Sequence, residues 1–315
     1  MPCQQEGFPR QRLRIQETLG EGNFGKVVKA EALDISGNGT WETVAVKMCK
    51  EAATDLQKEE FSHELSLVKR IPKHPNVVSY LGYCKSLDQP TFIILEYISG
   101  GNLIQFLRDR RPGSGSKSNE QEINSSELSS FAHQIAKGLA HLSHHNIIHR
   151  DVAARNILIS ESHICKVADL GLARDLYESD VYEIASKGGL PIRWMAPESL
   201  TDGLYTTQSD IWSYGVLLWE IITLGASPYP GLSARQVMST VVGGNKLECP
   251  EFCSQTIKDL IMQCWEIDKD KRPTFDQICT SLERLLEEQS DYLNLQNYEE
   301  GIYSVLFPTN YDEKL

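Results

Sequence analysis

Two short apolar runs, Ile147-Ile148 and Ile157-Leu158-Ile159, bracket the polar stretch His149-Arg150-Asp151-Val152-Ala153-Ala154-Arg155-Asn156. Polar groups held between two apolar runs imply a loop pinned by buried anchors. Asp151 can accept a hydroxyl proton, and Asn156 offers an amide oxygen to a metal ion. Downstream, Val167-Ala168-Asp169-Leu170-Gly171 adds a second oxygen ligand in Asp169 and a permissive hinge in Gly171. Hard Mg2+ prefers such ligands and completes its shell with phosphate and water.

A second constellation precedes this one. Gly20-Glu21-Gly22-Asn23-Phe24-Gly25-Lys26-Val27 has the spacing of a loop whose backbone approaches phosphates closely. The same glycine spacing marks dinucleotide-binding folds, which require a helix directly after it. Here Lys26-Val27-Val28-Lys29-Ala30 continues as a strand, which favours a strand–turn–strand phosphate cover; a hairpin without ligand is the other reading of the motif. In the third strand, Val44-Ala45-Val46-Lys47 points Lys47 and Ala45 to one face. An ammonium there needs a carboxylate to fix it, and Glu64 is the candidate. Taken without the other motifs, Lys47 and Glu64 read as solvated surface charges, the usual fate of these residues.

The elements around these motifs suggest two lobes. Leu13–Thr18, Lys26–Glu31, Thr43–Cys49, Val77–Tyr83 and Thr91–Tyr97 read as five strands, and Leu56–Arg70 as a helix with a stripe of Phe61, Leu65 and Val68. From Leu103 the pattern is helical, with candidates at Leu128–Leu142, Ser209–Thr223, Ala234–Val242, Ser254–Glu266 and Thr274–Glu287. Residues 111–127 form a Gly/Ser/Glu-rich insert. The fold class is α+β: a five-stranded sheet with one helix, followed by a larger helical lobe. No run of about 18 apolar residues is present; the most apolar stretch, Tyr214–Leu224, is interrupted by Glu220. The net charge of −12 argues against a nucleic-acid partner. Eight scattered cysteines without a CxxC pair read as free thiols rather than a zinc site.

Taken together, these motifs resemble the protein kinase family over residues 13–287, including Met195-Ala196-Pro197-Glu198, Ser209-Asp210-Ile211-Trp212 and Lys271-Arg272-Pro273. The resemblance implies a bilobal fold, with an N-lobe of residues 13–97 and a C-lobe of residues 98–287, flanked by a juxtamembrane-like segment 1–12 and a tyrosine-bearing tail 288–315. It implies ATP and Mg2+ as cofactors, gathered in the crevice between the lobes. Leu19, Gly20, Glu21, Gly22, Gly25, Val27, Ala45, Lys47, Glu64, Glu96, Ile98 and Leu158 would surround the nucleotide, with Leu95 as gatekeeper. Asn156 and Asp169 would hold the metal, Asp151 would be the base, and Arg155 would stabilise transferred charge or the loop. Asp210 would brace the catalytic loop, and Glu198 would pair with Arg272.

The run Asp151-Val152-Ala153-Ala154-Arg155-Asn156 and Pro191-Ile192-Arg193-Trp194 resemble tyrosine kinases of the receptor class. Wording such as Glu96-Tyr97-Ile98-Ser99-Gly100-Gly101-Asn102 resembles fibroblast growth factor receptors with a split kinase domain, whereas Arg174–Tyr182 resembles the insulin receptor. Leu170 stands where such kinases carry phenylalanine; as a large apolar plug it is expected to preserve the packing. Tyr177 and Tyr182 are candidate activation phosphosites, and Tyr292 a candidate docking site for SH2-domain adaptors. Implied partners are protein tyrosine substrates and a second copy acting in trans. Implied placement is the cytoplasmic side of the plasma membrane, or the cytoplasm for a complete kinase. The alternatives weighed are a pseudokinase scaffold, a dual-specificity or serine/threonine kinase, and, more remotely, a nucleotide-binding oxidoreductase.

Overall fold

A computed structural model of the chain describes residues 7–22, 25–50, 53–84, 91–112, 123–175 and 190–287. The chain divides into two compact units: residues up to Ser99 together with Asp169–Leu172, and Gly100–Ala168 together with Ala173 onward.

The first unit is built on an antiparallel five-stranded sheet in the order β1-β2-β3-β5-β4. Its strands are β1 (Leu13–Gly22), β2 (Gly25–Leu33), β3 (Trp41–Met48), β4 (Tyr80–Cys84) and β5 (Phe92–Glu96). Period-two alternation sorts their side chains. Val28, Ala30, Ala32, Val44, Val46, Phe92 and Ile94 form one buried cluster, against which Phe8 and Leu13 pack. Phe8 also donates its N–H to Tyr83 O at 2.6 Å, so the segment before β1 belongs to this core. Helix α1 (Asp55–Val68) starts at a capping box between Thr54 and Gln57 and buries Phe61, Glu64, Leu65, Leu67 and Val68. The strand expected at Val77–Tyr83 begins only at Tyr80. Val77 N–H closes a turn onto His74 O at 3.2 Å, so Val77 is buried in a loop, which an apolar run alone does not distinguish from a strand.

The second unit is helical. It contains α2 (Leu103–Asp109), α3 (Ser125–His144), α4 (Pro197–Asp202), α5 (Thr207–Ile222), α6 (Ala234–Val242), α7 (Gln255–Cys264) and α8 (Phe275–Glu287). Ser125–Glu127, expected in the insert, form the first turn of α3, because Asn124 and Glu127 make a capping box there. Two small sheets pair β6 (Ile147–Ile148) with β9 (Arg174–Asp175), and β7 (Ile157–Ile159) with β8 (Cys165–Val167). Helix α5 is buried almost all round, the signature of a helix at the centre of a core. Its Gly215 lets Trp265 lie against it: a Cβ at that position would stand 2.6 Å from the indole nitrogen. Tyr214 donates its hydroxyl to Ala132 O of α3 at 2.9 Å, which satisfies the one polar atom of a fully buried ring. Among the described residues no helix is long and apolar enough to cross a membrane.

Candidate active site

In the first unit, strand register sets Lys47 opposite Val27 on β2 and Ile93 on β5. Lys47 Nζ lies 2.6 Å from Glu64 Oε1 and 2.8 Å from Asp169 Oδ1. The lysine and Glu64 side chains are 7% and 5% exposed, which rules out the reading of both as solvated surface charges. The reason is positional. Glu64 falls on the same face of α1 as Phe61, Leu65 and Val68, so packing that stripe carries the carboxylate inward. Burial lowers the pKa of Lys47, but the charges of Asp169 and Glu64 outweigh it and hold the ammonium above its ordinary value. Burial pushes Glu64 up, opposed by Lys47. Asp169, with its side chain 41% exposed and its backbone in the left-handed region at φ 55°, keeps carboxylate surface available to a ligand. Leu170 is buried and lines a small cavity of mixed polarity with Val68, Ile71, Val77, His74 and Ser79.

The glycine motif lies on two paired antiparallel strands. β1 runs to Gly22, β2 resumes at Gly25, and Gly20 pairs with Val27. Gly25 has φ 139°, and a Cβ on it would stand 2.3 Å from Met48 O, so no side chain fits. No helix opens after these glycines, which removes the dinucleotide-binding alternative. Leu19 and Glu21 are exposed, while Ala45 is buried. Glu96 donates its N–H to Ser79 O at 3.0 Å and accepts Ser79 N–H on its carboxylate at 2.6 Å. Its amide is therefore already spent within the sheet.

In the second unit, the run from His149 to Asn156 is held from three sides. Asp210 on α5 accepts the N–H groups of His149 at 2.7 Å and Arg150 at 2.9 Å. The His149 ring accepts Asp151 N–H on Nδ1, so its Nε2–H donates to Ala168 O at 3.0 Å, which fixes the tautomer. Arg150 sits at φ 68° with its guanidinium 3.9 Å above the Tyr205 ring. Asn156 donates Nδ2–H to Asp151 O at 2.8 Å, which turns its Oδ1 away as the remaining acceptor. Ala168 N–H in turn bonds Asn156 O at 2.9 Å. Arg155 pairs with Asp151 Oδ1 and lies 4.1 Å above the Trp194 ring, so it orders the loop as well as supplying charge. Leu158 is half-buried in β7 and bridges to Asn102.

Two further carboxylates are tied down in the second unit, and one of them, Glu220, reaches this loop. Glu198 and Arg272 form a bidentate pair at 2.6 and 2.8 Å. Glu220, in the sequence only an interruption of an apolar stretch, is fully buried; its Oε2 accepts Ala154 N–H and Trp194 Nε1–H, both at 2.9 Å. Burial pushes Glu220 up to about 7, opposed by those two donors and by Arg155 and Arg108. A lone charge inside a long apolar helix run was the available signal, since burial of such a group requires partners.

In the first unit, the Asp169 carboxylate beside an ionised lysine suits a cation and phosphate; in the second, the Asn156 amide oxygen is of a type that Mg2+ accepts. Tyr177, Tyr182 and Tyr292 lie outside the described residues. The family described as protein tyrosine and serine/threonine kinase matches residues 13–282. The tyrosine kinase receptor Cad96Ca of Drosophila melanogaster is 46% identical over 306 residues, covering 96% of this chain and 39% of that receptor. The chain thus spans about two fifths of the length of that curated relative. On these matches and this geometry, the chain belongs to the protein tyrosine and serine/threonine kinase family.

Proposed function

We propose that this chain is the catalytic part of a receptor-type protein tyrosine kinase, transferring the γ-phosphate of ATP to tyrosine hydroxyls. The observation that carries the reading is the Lys47–Glu64 pair at 2.6 Å, buried and shared with Asp169, because a buried, ionised lysine between two carboxylates has a clear use in holding phosphate. Mg2+, when bound, neutralises phosphate charge. Lys47 grips the α- and β-phosphates, with Glu64 keeping its stem in place. Asn156 and Asp169 would hold that metal through their side-chain oxygens. Asp151, fixed by the bonds around His149 and Asn156, orients the tyrosine hydroxyl and takes its proton.

Tyrosine rather than serine is favoured by Ala153, where serine/threonine kinases carry a lysine, with the cation supplied by Arg155. The named receptor relative supports the same choice. The finer resemblances, to split-domain growth-factor receptors and to the insulin-receptor activation segment, belong to this proposal too. So do activation by phosphorylation in trans at Tyr177 and Tyr182 and recruitment of SH2-domain adaptors at Tyr292. Incubation with Mg·ATP and a poly-Glu-Tyr polymer, with Asp151→Asn as control, tests the reaction. Phosphotyrosine from the unaltered chain and none from the control is the expected result. No transfer to the polymer overturns it, as does phosphoserine or phosphothreonine alone on a protein substrate that carries all three hydroxyl residues.

A further inference from the structure

Helix α5 reaches the region of the catalytic loop through three side chains. Asp210 takes two amides of that loop, Ser213 donates its hydroxyl to Trp194 O at 2.7 Å, and Glu220 receives Ala154 N–H and the Trp194 indole N–H. The three positions fall within one face of the helix, with Asp210 and Glu220 about 15 Å apart along the axis. Asp210 therefore holds the start of the loop and Glu220 its later half. The two donors on Glu220 converge on a single oxygen, Oε2; Oε1 is buried without a hydrogen-bond partner. The indole that Glu220 orients is also the surface on which the Arg155 guanidinium lies, and that guanidinium pairs with Asp151.

We propose that Glu220 is a positioning residue for phosphoryl transfer: one buried carboxylate oxygen ties the loop at Ala154 to the indole of Trp194, and through that ring sets Arg155 against Asp151. The proposal rests on the kinase reading of the site. Glu220 touches neither nucleotide nor substrate; it acts through two intermediates, each fixed by a hydrogen bond. A carboxylate that served only to complete the core would be equally well replaced by any shape-matched apolar group. This one has a single oxygen that accepts from two segments far apart in sequence, one on either side of residues 176–189.

The test uses the full chain and two readouts. Amide hydrogen exchange across residues 149–156, without nucleotide, reports the loop itself. Steady-state kinetics on poly-Glu-Tyr separate kcat from KM for ATP. Glu220→Ala is expected to speed exchange in that loop about tenfold or more, leave exchange in β2 and β3 unchanged, and lower kcat about 30-fold with KM for ATP within twofold. Glu220→Gln keeps one side-chain oxygen for both donors, and is expected to restore loop protection and kcat to within about threefold. If Glu220→Ala does not fold, Trp194→Phe decides, since it removes one donor and keeps a ring under Arg155; a kcat loss of about tenfold supports the proposal. Unaltered loop exchange and kcat in a folded Glu220→Ala, or in Trp194→Phe, overturns it. So does a Gln variant as impaired as the Ala variant. An unaltered chain with no transfer at all breaks the kinase reading instead, and the exchange data still decide whether Glu220 holds the loop.

Discussion

Lys47–Glu64 in the first unit and Arg272–Glu198 in the second are both buried ion pairs between residues far apart in sequence, yet their cations are spent differently. Arg272 has a fully buried side chain, and every arm of its fork is used. Nη1 and Nη2 take the two oxygens of Glu198, Nη1 also reaches Gln208 O at 2.7 Å, and Nε donates to Glu266 O at 2.8 Å. Lys47 is a point charge on a flexible stem, shared between two carboxylates, one of them partly open to solvent. The planar fork suits a fixed joint. The ammonium suits a site whose negative partners change, as when phosphate arrives. Burial alone therefore says little about an ion pair's purpose; the number of acceptors already committed says more.

Arg272→Lys should expose that contrast most sharply. A lysine cannot serve Glu198, Gln208 and Glu266 together, and the partly buried Glu198 carboxylate loses its bidentate partner. Urea unfolding is expected to show a loss of about 3–5 kcal/mol. A loss below 1 kcal/mol would mean the fork geometry is dispensable. Lys47→Met should invert the pattern. The Glu64 carboxyl is already pushed up by burial, so it can accept a proton and limit the cost to about 1–2 kcal/mol of stability. Transfer to poly-Glu-Tyr is expected to fall by about 10²–10³-fold, the scale for deleting one charge-stabilising donor. Equal stability losses in the two variants would erase the distinction.

Glu220 extends the comparison to a carboxylate whose nearest donors are neutral. Its folded pKa of about 7 lies above the ordinary carboxylate value of 4.5. Below the unfolded value both states are protonated. Between the two values the unfolded chain ionises first, so the contribution of Glu220 falls as pH rises and is lost by the time pH passes 7. The swing is about 3 kcal/mol. Chemical denaturation at pH 5 and pH 8 should show Glu220→Gln flattening this dependence. An unchanged slope would show that the carboxylate is ionised throughout, held by Arg155 and Arg108.

Much of this was legible in the sequence because local and global preferences agree. Residues 234–242 carry their cap, period and stop within a few residues, and α6 has those bounds. Helix α4 was missed because six residues show no period, and β6 to β9, of two or three residues each, exist only through pairing with distant partners. In the site, ligand types could be read from residue chemistry, whereas burial could not. Lys47 and Glu64 read as surface charges only when taken without the other motifs, and Glu220 as a break in an apolar stretch; packing buries all three. Both carboxylates had a local mark: a charge at a position where the period or run demands an apolar residue.

The exposed His144–Asp276 contact supplies the low end of the scale. It joins the last turn of α3 to the first turn of α8 at 2.9 Å, with side chains 60% and 65% exposed. Solvent screens such a pair, and each partner gains as much from the adjacent helix end as from the other. His144→Gln is therefore expected to change stability by less than about 1 kcal/mol in urea unfolding, with the effect shrinking further at high salt. A loss above 2 kcal/mol, insensitive to salt, would place this contact beside Arg272–Glu198 as a joint, and exposure would then be as poor a guide to an ion pair's worth as burial.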